Sequence, residues 1–351
     1  MAFLNHPVLV RLAIVLCTMV FTSVCQKKTG IADRQIDRVL FLSNRDAASR
    51  EFDLFSMNPD GSQQINLTRH IQGIRSFSNP VVSHDGKTVL FTTLHQLQRT
   101  LYALPVGDSV ATPLTQVQMD QPQPRFAPDD RSIIFVDKLE GRHQIFRMNR
   151  DGSNRQNLSQ NNFDDTEPEF SPDGSKICFT TRRGKTKSIG LMNSDGTQQE
   201  ILTDDDGNDS NPSFSPDGAK IVFCSDRLGS SDIYYLNLSD KKIVVLFDEK
   251  SHDEEPQFSP DGNHVLFISN TRGMKYRDLM LVHLKSKQVK NLTEHLNYFN
   301  YHPIFKPDGR SILFESMRFE DSDIYEIGTD GKNLRNLTNH PKWDLAPALS
   351  F

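Results

Sequence analysis

Short, uninterrupted apolar runs recur along the chain at a nearly constant distance from one another. They are Val-Leu-Phe at residues 89–91, Ile-Ile-Phe at 133–135, Ile-Cys-Phe at 177–179, Ile-Val-Phe at 221–223, Val-Leu-Phe at 265–267 and Ile-Leu-Phe at 312–314. A strand with one face in water alternates between apolar and polar residues, and these runs do not alternate. The pattern therefore predicts short β-strands that are covered on both faces, as in a stack of sheets.

Each apolar run follows a block that ends in a tight turn, clearest as Glu-Pro-Glu-Phe-Ser-Pro-Asp-Gly at residues 167–174. The first proline of the block recurs at Pro80, Pro124, Pro168, Pro212, Pro256, Pro303 and Pro347, in steps of 44, 44, 44, 44, 47 and 44 residues. So regular a period indicates one structural unit per repeat. In the repeat that begins at Pro212, four strands are predicted, here called a to d: residues 212–215, 221–225, 233–237 and 243–247.

Turn residues support this division into strands. The a–b turn is Pro-Asp-Gly, in which proline presets φ and glycine takes the positive φ of a tight hairpin. Asp130 stands in place of that glycine in one repeat, and aspartate tolerates the left-handed region. Asn-x-Asp-Gly serves the c–d turn at residues 58–61, 149–152 and 193–196.

The two ends of the repeat region complete each other. Residues 39–42, 52–57 and 64–68 match strands b, c and d of a first repeat that has no strand a, and residues 346–351 match the missing strand. A strand supplied from the far end would remove an open sheet edge. We therefore predict an all-β fold over residues 36–351, a seven-bladed β-propeller of four-stranded antiparallel blades, closed by the C-terminal strand pairing into the N-terminal blade.

The N-terminal segment has the composition of an export signal. Arg11 is followed by an apolar run over residues 12–24, then by Cys25 and a polar stretch. The run is too short to span a bilayer unaided, so we expect residues 1–25 to be a signal peptide and residues 26–35 a linker. Cys25 stands where lipoprotein signals place the lipid-attachment cysteine, although Val24 before it is bulkier than usual; lipidation and plain secretion both stay open.

Charge and cysteine content exclude several classes of protein. The formal net charge is −5, which argues against nucleic acid as a partner. Only Cys178 and Cys224 lie in the repeat region, so no disulfide framework or paired-cysteine zinc site is expected. No Gly-x-Ser-x-Gly nucleophile motif occurs.

The repeat elements together resemble a known family. Phe-Ser-Pro-Asp-Gly, an apolar strand, Ser-x-Arg, Ile-Tyr, Asn-x-Asp-Gly and Leu-Thr are similar to the WD-like repeat of TolB-like propellers, and the resemblance covers residues 36–351. It implies an exported bacterial propeller, in the periplasm or lipid-anchored to the outer membrane. TolB itself carries an α/β domain before a propeller of six blades, whereas here a short linker precedes seven predicted blades, so the TolB function does not transfer directly.

The loops between strand d and the next strand a are acidic. In a propeller they share one face with the b–c loops, and a cleft lined by one sign of charge attracts ligands of the other sign. We predict a ligand-binding channel mouth formed by Asp164, Asp165, Glu167, Asp209, Asn211, Asp253, Glu255 and His302. The alternative is that these residues cap turns and keep the surface soluble.

Arginines of the b–c loops are expected to pair with an aspartate ahead of strand c in the same blade: Asp53, Asp232, Asp278 or Asp323.

These features favour a non-enzymatic, monomeric scaffold without a cofactor that binds a protein or peptide of the cell envelope, with a basic partner among the candidates. It would contact the membrane only through a lipid anchor. The alternatives are a sugar-binding receptor and a metal-dependent carbohydrate-active enzyme similar to oligogalacturonate lyase, in which His70, His295 and His340 would hold the metal. Turn capping is the simpler interpretation of these histidines, because they recur by repeat symmetry.

Overall fold

The structure is a computed structural model that describes residues 38–46, 52–69, 71, 75–95, 98–106, 108, 110–117, 122–203, 206–318 and 321–350. These residues form seven four-stranded antiparallel sheets, and each sheet is one blade. Within the described part of the chain, no helix long and apolar enough to cross a membrane is found. The predicted signal peptide and Cys25 lie outside the described residues.

The strands follow the predicted order, with strand a innermost and strand d outermost in every blade. Blade one contains β1 (Arg38–Ser43), β2 (Asp53–Met57), β3 (Ile65–Asn66) and, as its innermost strand, β28 (Asp344–Ser350). Blade two contains β4 (Arg75–Val82), β5 (Thr88–His95), β6 (Gln98–Pro105) and β7 (Thr112–Val117). Blade three contains β8 (Arg125–Phe126), β9 (Ser132–Leu139), β10 (Arg142–Asn149) and β11 (Gln156–Asn157).

The remaining blades repeat this order along the chain. Blade four contains β12 (Asp164–Phe170), β13 (Lys176–Arg182), β14 (Ser188–Asn193) and β15 (Glu200–Ile201). Blade five contains β16 (Ser210–Phe214), β17 (Lys220–Ser225), β18 (Asp232–Asn237) and β19 (Ile243–Phe247). Blade six contains β20 (Asp253–Phe258), β21 (His264–Ser269), β22 (Asp278–His283) and β23 (Val289–Asn291). Blade seven contains β24 (Phe299–Phe305), β25 (Ser311–Met317), β26 (Ser322–Gly328) and β27 (Arg335–Asn336).

The C-terminal strand closes the ring as the sequence predicts. β28 pairs antiparallel with β1, with Arg38 opposite Ser350 and Val39 opposite Leu349. Leu349 is buried in a cluster that also contains Phe41 of blade one and Leu313 of blade seven. The last strand therefore completes blade one and packs against its neighbour at the same time.

Strand b of every blade lies in the core, as its apolar pattern predicts. One phenylalanine from each of these strands has at most 1% of its surface exposed: Phe41, Phe91, Phe135, Phe179, Phe223, Phe267 and Phe314. The apolar clusters join side chains of neighbouring blades; one of them, for example, contains Cys178 of blade four and Phe223 of blade five. The core is thus divided among the blade interfaces and not gathered in one centre.

The turns adopt the conformations that their residues predict. Gly174 in an a–b turn has φ of 72°, and Asp130, which replaces glycine in blade three, has φ of 56°. Gly61 in the c–d turn of blade one has φ of 88°, and a Cβ atom there would lie 2.4 Å from the carbonyl oxygen of Leu337 in blade seven. Glycine is required at this position both by the turn and by the approach of the neighbouring blade.

A bulge in the innermost strands was not predicted. In blades four to seven the pairing register between strands a and b shifts around the repeat proline, for example between Thr166 and Glu169. In six of the blades, the residue before that proline has positive φ: Gln123, Glu167, Asn211, Glu255, His302 and Ala346. A bulge bends its strand and re-aims a side chain, and here it turns these side chains toward the central channel.

Candidate ligand-binding site at the channel mouth

The inner strands enclose a central cavity of about 640 Å³. In blades four to seven its walls carry the residue before the repeat proline, the proline itself and the residue after it, and the other blades contribute part of this triplet. Glu167, Asn211, Glu255 and His302 all line this cavity, so four of the predicted site residues meet in one place. Arg125 and Glu169 also line it and were not predicted from the sequence.

Side chains in the channel bind the bulged backbone of the next blade. The Glu167 N–H donates to Gln123 Oε1 at 2.8 Å, and the Asn211 N–H donates to Glu167 Oε2 at 2.7 Å. Glu255 likewise accepts a hydrogen bond from the His302 N–H. The channel acids therefore have a structural role, since each satisfies a backbone donor that the bulge leaves without a strand partner.

Blade seven uses a different acid for the same purpose. Glu315 of strand b accepts from His302 Nδ1 at 3.0 Å and from the Ala346 N–H at 3.2 Å. Desolvation in the channel by itself lowers the pKa of His302, but the hydrogen bond to Glu315 and the charge of Glu255 outweigh it and raise that pKa above its ordinary value. Glu315 was missed, although its charge interrupts an otherwise apolar strand b, and that interruption is the available sequence signal.

Three of the predicted site residues do not line the channel and are buried instead. Asp165, Asp209 and Asp253 each have 0% of their surface exposed. The interpretation of these three as exposed loop charges is wrong, because the inner strand begins earlier than the repeat proline and carries them into the blade junctions. Asp164 lies at the surface of a junction, where it accepts from the His143 N–H at 2.9 Å.

The buried aspartates of strand a are the true partners of two loop arginines. Arg227 makes two hydrogen bonds to Asp209, at 2.9 and 3.1 Å, and Arg45 binds Asp344 at 2.5 Å. The predicted pairing with the aspartate ahead of strand c is right for Arg272, which binds Asp278. Sequence distance favoured the strand-c partner, whereas closure of the blade brings the start of strand a to the same b–c loop.

Burial raises the pKa of two of these carboxyl groups. It raises the pKa of Asp344 to about 6, although Arg45 opposes the shift. It raises the pKa of Asp253 to about 7, and the charges of Asp232 and Glu249 add to the effect. Asp253 differs from Asp344 in having no arginine among its hydrogen-bond partners.

Exposed apolar side chains surround the same end of the channel. Four large ones lie in the b–c and d–a loops or at their edges: Leu139, Leu228, Met274 and Trp343, with 47%, 62%, 87% and 37% of their surface exposed. The opposite face, formed by the a–b and c–d turns, exposes Val110. Ile65 and Val289 are exposed on the outermost strands. Apolar side chains of this size are more often found in interfaces than on free surfaces when they group on one face.

The described residues do not support a metal site formed by the three histidines. His70 lies outside the described residues. His295 is exposed at the end of blade six, and His340 is partly buried at the end of blade seven, where desolvation lowers its pKa. In the described part of the chain, no three His, Cys, Asp or Glu side chains are grouped so as to hold one metal ion. Cys178 and Cys224 are buried and form no disulfide.

A family comparison agrees with the repeat pattern. The sequence profile of the TolB beta propeller domain matches residues 25–199 and 242–351. The chain belongs to the TolB β-propeller family. No curated protein matches the chain significantly.

Solved structures similar to this TolB-family propeller carry several different functions. TolB from Acinetobacter baumannii is 19% identical, with a TM-score of 0.60, and the match covers 86% of this chain and 79% of that one. An oligogalacturonate lyase in complex with manganese is 15% identical, with a TM-score of 0.63 and coverage of 86% and 84%. A puromycin hydrolase is 14% identical, with a TM-score of 0.68, and this chain spans 56% of its length. At these identities the likeness establishes a shared fold and no shared activity.

Proposed function

We propose that this protein is a non-enzymatic exported propeller that binds a protein or peptide of the bacterial cell envelope on the face formed by its d–a and b–c loops. The observation that carries the proposal is the combination, on one face, of exposed Leu228, Met274 and Trp343 with an acid-lined cavity at the centre. Apolar anchors around a polar centre are typical of protein interfaces. The acids favour a partner with a basic segment that enters the channel.

Two variants separate the apolar part of this face from the rest of the surface. We expect Leu228→Asp combined with Met274→Asp to weaken partner binding at least about 30-fold, since buried anchors typically contribute 2 kcal/mol or more. The matched control is Val110→Asp, which places the same charge on the opposite face at a site 67% exposed. Affinity purification from the native envelope identifies the partner, and its affinity for each purified variant is then measured. Equal binding by all variants would exclude this face.

The acidic channel is tested by removing charge without removing hydrogen-bond acceptors. Glu167→Gln with Glu255→Gln keeps an oxygen for the Asn211 and His302 N–H groups. The variant should therefore melt close to wild type and should associate more slowly with a basic partner, with a weaker dependence on salt. Metal analysis of the purified wild-type protein tests the enzyme alternative in the same preparation.

Export and anchoring form a separate part of the proposal. Cys25 follows the apolar run of the predicted signal, and a lipid there would hold the protein at an envelope membrane. If it is lipidated, the mature protein partitions into detergent, and Cys25→Ala releases it or blocks maturation. Mass spectrometry of the mature N-terminus distinguishes the two routes, because an unmodified terminus beyond Cys25 means plain secretion.

A further inference from the structure

The junction between blades seven and one shows how this propeller compensates buried carboxylates. Asp323 of strand c accepts from Thr338 Oγ1 at 2.8 Å and from Asn336 Nδ2 at 2.8 Å. Thr338 also reaches Asp344 of the next strand a, and Arg45 neutralises that aspartate. The Asn-Leu-Thr of strand d and the loop arginine thus satisfy two acids that are both at least 98% buried.

Other junctions keep this balance with small changes. Between blades six and seven, Asp278 accepts from Asn291 and Thr293, Arg272 supplies the positive charge, and the strand-a residue is the neutral Asn300. In the junction of blades four and five, Ser188 begins strand c, so that Asp209 is the acid there and Arg227 its partner. Each of these junctions matches its buried negative charges with donors and an arginine.

The junction of blades five and six keeps both acids and lacks their partners. Asp232 and Asp253 are 1% and 0% exposed. Val245 and Phe247 stand where blades one, six and seven have asparagine and threonine, and Thr271 stands where Arg45 and Arg227 stand in their blades. Two independent departures from the repeat therefore fall on one junction.

Hydrogen bonding at this junction leaves each acid half satisfied. The Asp253 N–H donates to the Ser231 carbonyl at 2.9 Å, which holds the two strand ends together. Ser230 Oγ donates to Asp232 Oδ1 at 2.9 Å, Ser251 Oγ donates to Asp253 Oδ1 at 3.0 Å, and Ser269 is a further hydrogen-bonding side chain beside Asp253. Oδ2 of both aspartates is buried without a hydrogen-bond partner. Asp165 and Asp344 also have one such oxygen, but an amide or an arginine binds the other.

A cavity lies beside the junction. It measures about 560 Å³, and its walls include all three replacement residues, Val245, Phe247 and Thr271, together with Asp248, Glu249 and Lys287. The two acids outnumber the one lysine on this wall, which favours the approach of a cation.

We propose that Asp232 and Asp253 bind a monatomic hard cation, of which Ca²⁺ is the representative, in place of the guanidinium that the sister blades supply. All the available ligand atoms are oxygens, from two carboxylates, from Ser230 and Ser251 and from water, and this is the ligand set that Ca²⁺ prefers.

The test is a calcium titration of the protein after dialysis against a chelator. We expect millimolar CaCl₂ to raise the Tm by about 5 °C at a concentration about 100-fold above Kd, with one ion bound per chain by calorimetry. Asp253→Asn should abolish both effects. Thr271→Arg, which restores the arginine of the repeat, should abolish calcium binding and raise the Tm in chelator, so the test survives if the asparagine variant does not fold.

The matched control is Asp209→Asn, at the junction where the arginine is present. It should lower the Tm and leave the calcium response unchanged, because Asp209 already has Arg227. No calcium effect on the wild type, or an equal effect on Thr271→Arg, would overturn the proposal. Parallel titrations with MgCl₂ and NaCl establish which ion the junction prefers.

Discussion

Truncation of the chain after Trp343 is expected to lower the free energy of unfolding by at least about 5 kcal/mol, because it removes a strand whose buried side chains and backbone hydrogen bonds complete blade one. Leu349 leaves the cluster that joins blades one and seven, and the edge of β1 loses its partner. An open edge of this kind also promotes aggregation. Urea unfolding and light scattering measure the two effects, and an unchanged unfolding midpoint would show that β28 does not close the ring.

A circular permutant is the control for this truncation. Arg38 faces Ser350 as Lys176 faces Ser171 in blade four, where Pro-Asp-Gly-Ser at residues 172–175 forms the turn. Joining Ser350 to Arg38 through the same four residues supplies the turn that blade one lacks. New termini between Glu140 and Gly141 interrupt an exposed hairpin where a Cβ atom would meet nothing within 4 Å. The permutant should keep the wild-type stability, since all strand pairs persist. If it failed to fold, the order of the strands along the chain, and not their pairing alone, would determine the stability of the ring.

Phe223→Ala is expected to reduce the free energy of unfolding by about 4 kcal/mol, the usual cost of emptying a phenylalanine site in a core. Phe223 is 0% exposed, and its ring lies 5.8 Å from that of Tyr234. The cavity would sit at the interface of blades four and five, where relaxation is limited because both sheets are held by their own strand pairing. Arg227, whose guanidinium lies 5.9 Å from this ring, would also lose part of its support.

Two variants calibrate the Phe223 measurement. Phe223→Leu keeps most of the apolar volume and should cost roughly 1.5 kcal/mol. Leu228→Ala, in the following loop and 62% exposed, should change the stability by less than about 0.5 kcal/mol. A loss below 1 kcal/mol for Phe223→Ala would contradict the view that the blade interfaces carry the core.

The architecture was predictable from the sequence because it is repeated. A fixed spacing of prolines, a turn that demands positive φ and an apolar strand b occur once per blade, so each repeat confirms the assignment of the others. Closure was predictable for a related reason: the first repeat lacks one strand, and the chain ends with that strand. Even the substitution of Asp130 for glycine followed from local backbone chemistry.

The candidate site was only partly predictable, because it depends on contacts between blades. Glu167, Asn211, Glu255 and His302 were correctly placed at the channel by repeat symmetry. The binding of Glu167 and Glu255 to the backbone of the next blade depends on a bulge, which no local residue pattern predicts. Glu315 joins the site from another strand through the pairing of β24 with β25.

The burial of the strand-a aspartates was decided by the tertiary structure alone. Asp165, Asp209 and Asp253 have the composition of surface loops, yet they lie at the start of the inner strands and have 0% of their surface exposed. Arg227, the partner of Asp209, comes from a b–c loop 18 residues further along the chain, and Arg45, the partner of Asp344, comes from the other end of the repeat region. The sequence by itself determined the period, the turns, the strand order and the closing strand, since these depend on residues within one repeat. Only the packing of blade against blade decided which acids face the channel and which are buried, because desolvation and charge pairing depend on what the neighbouring blade brings within reach.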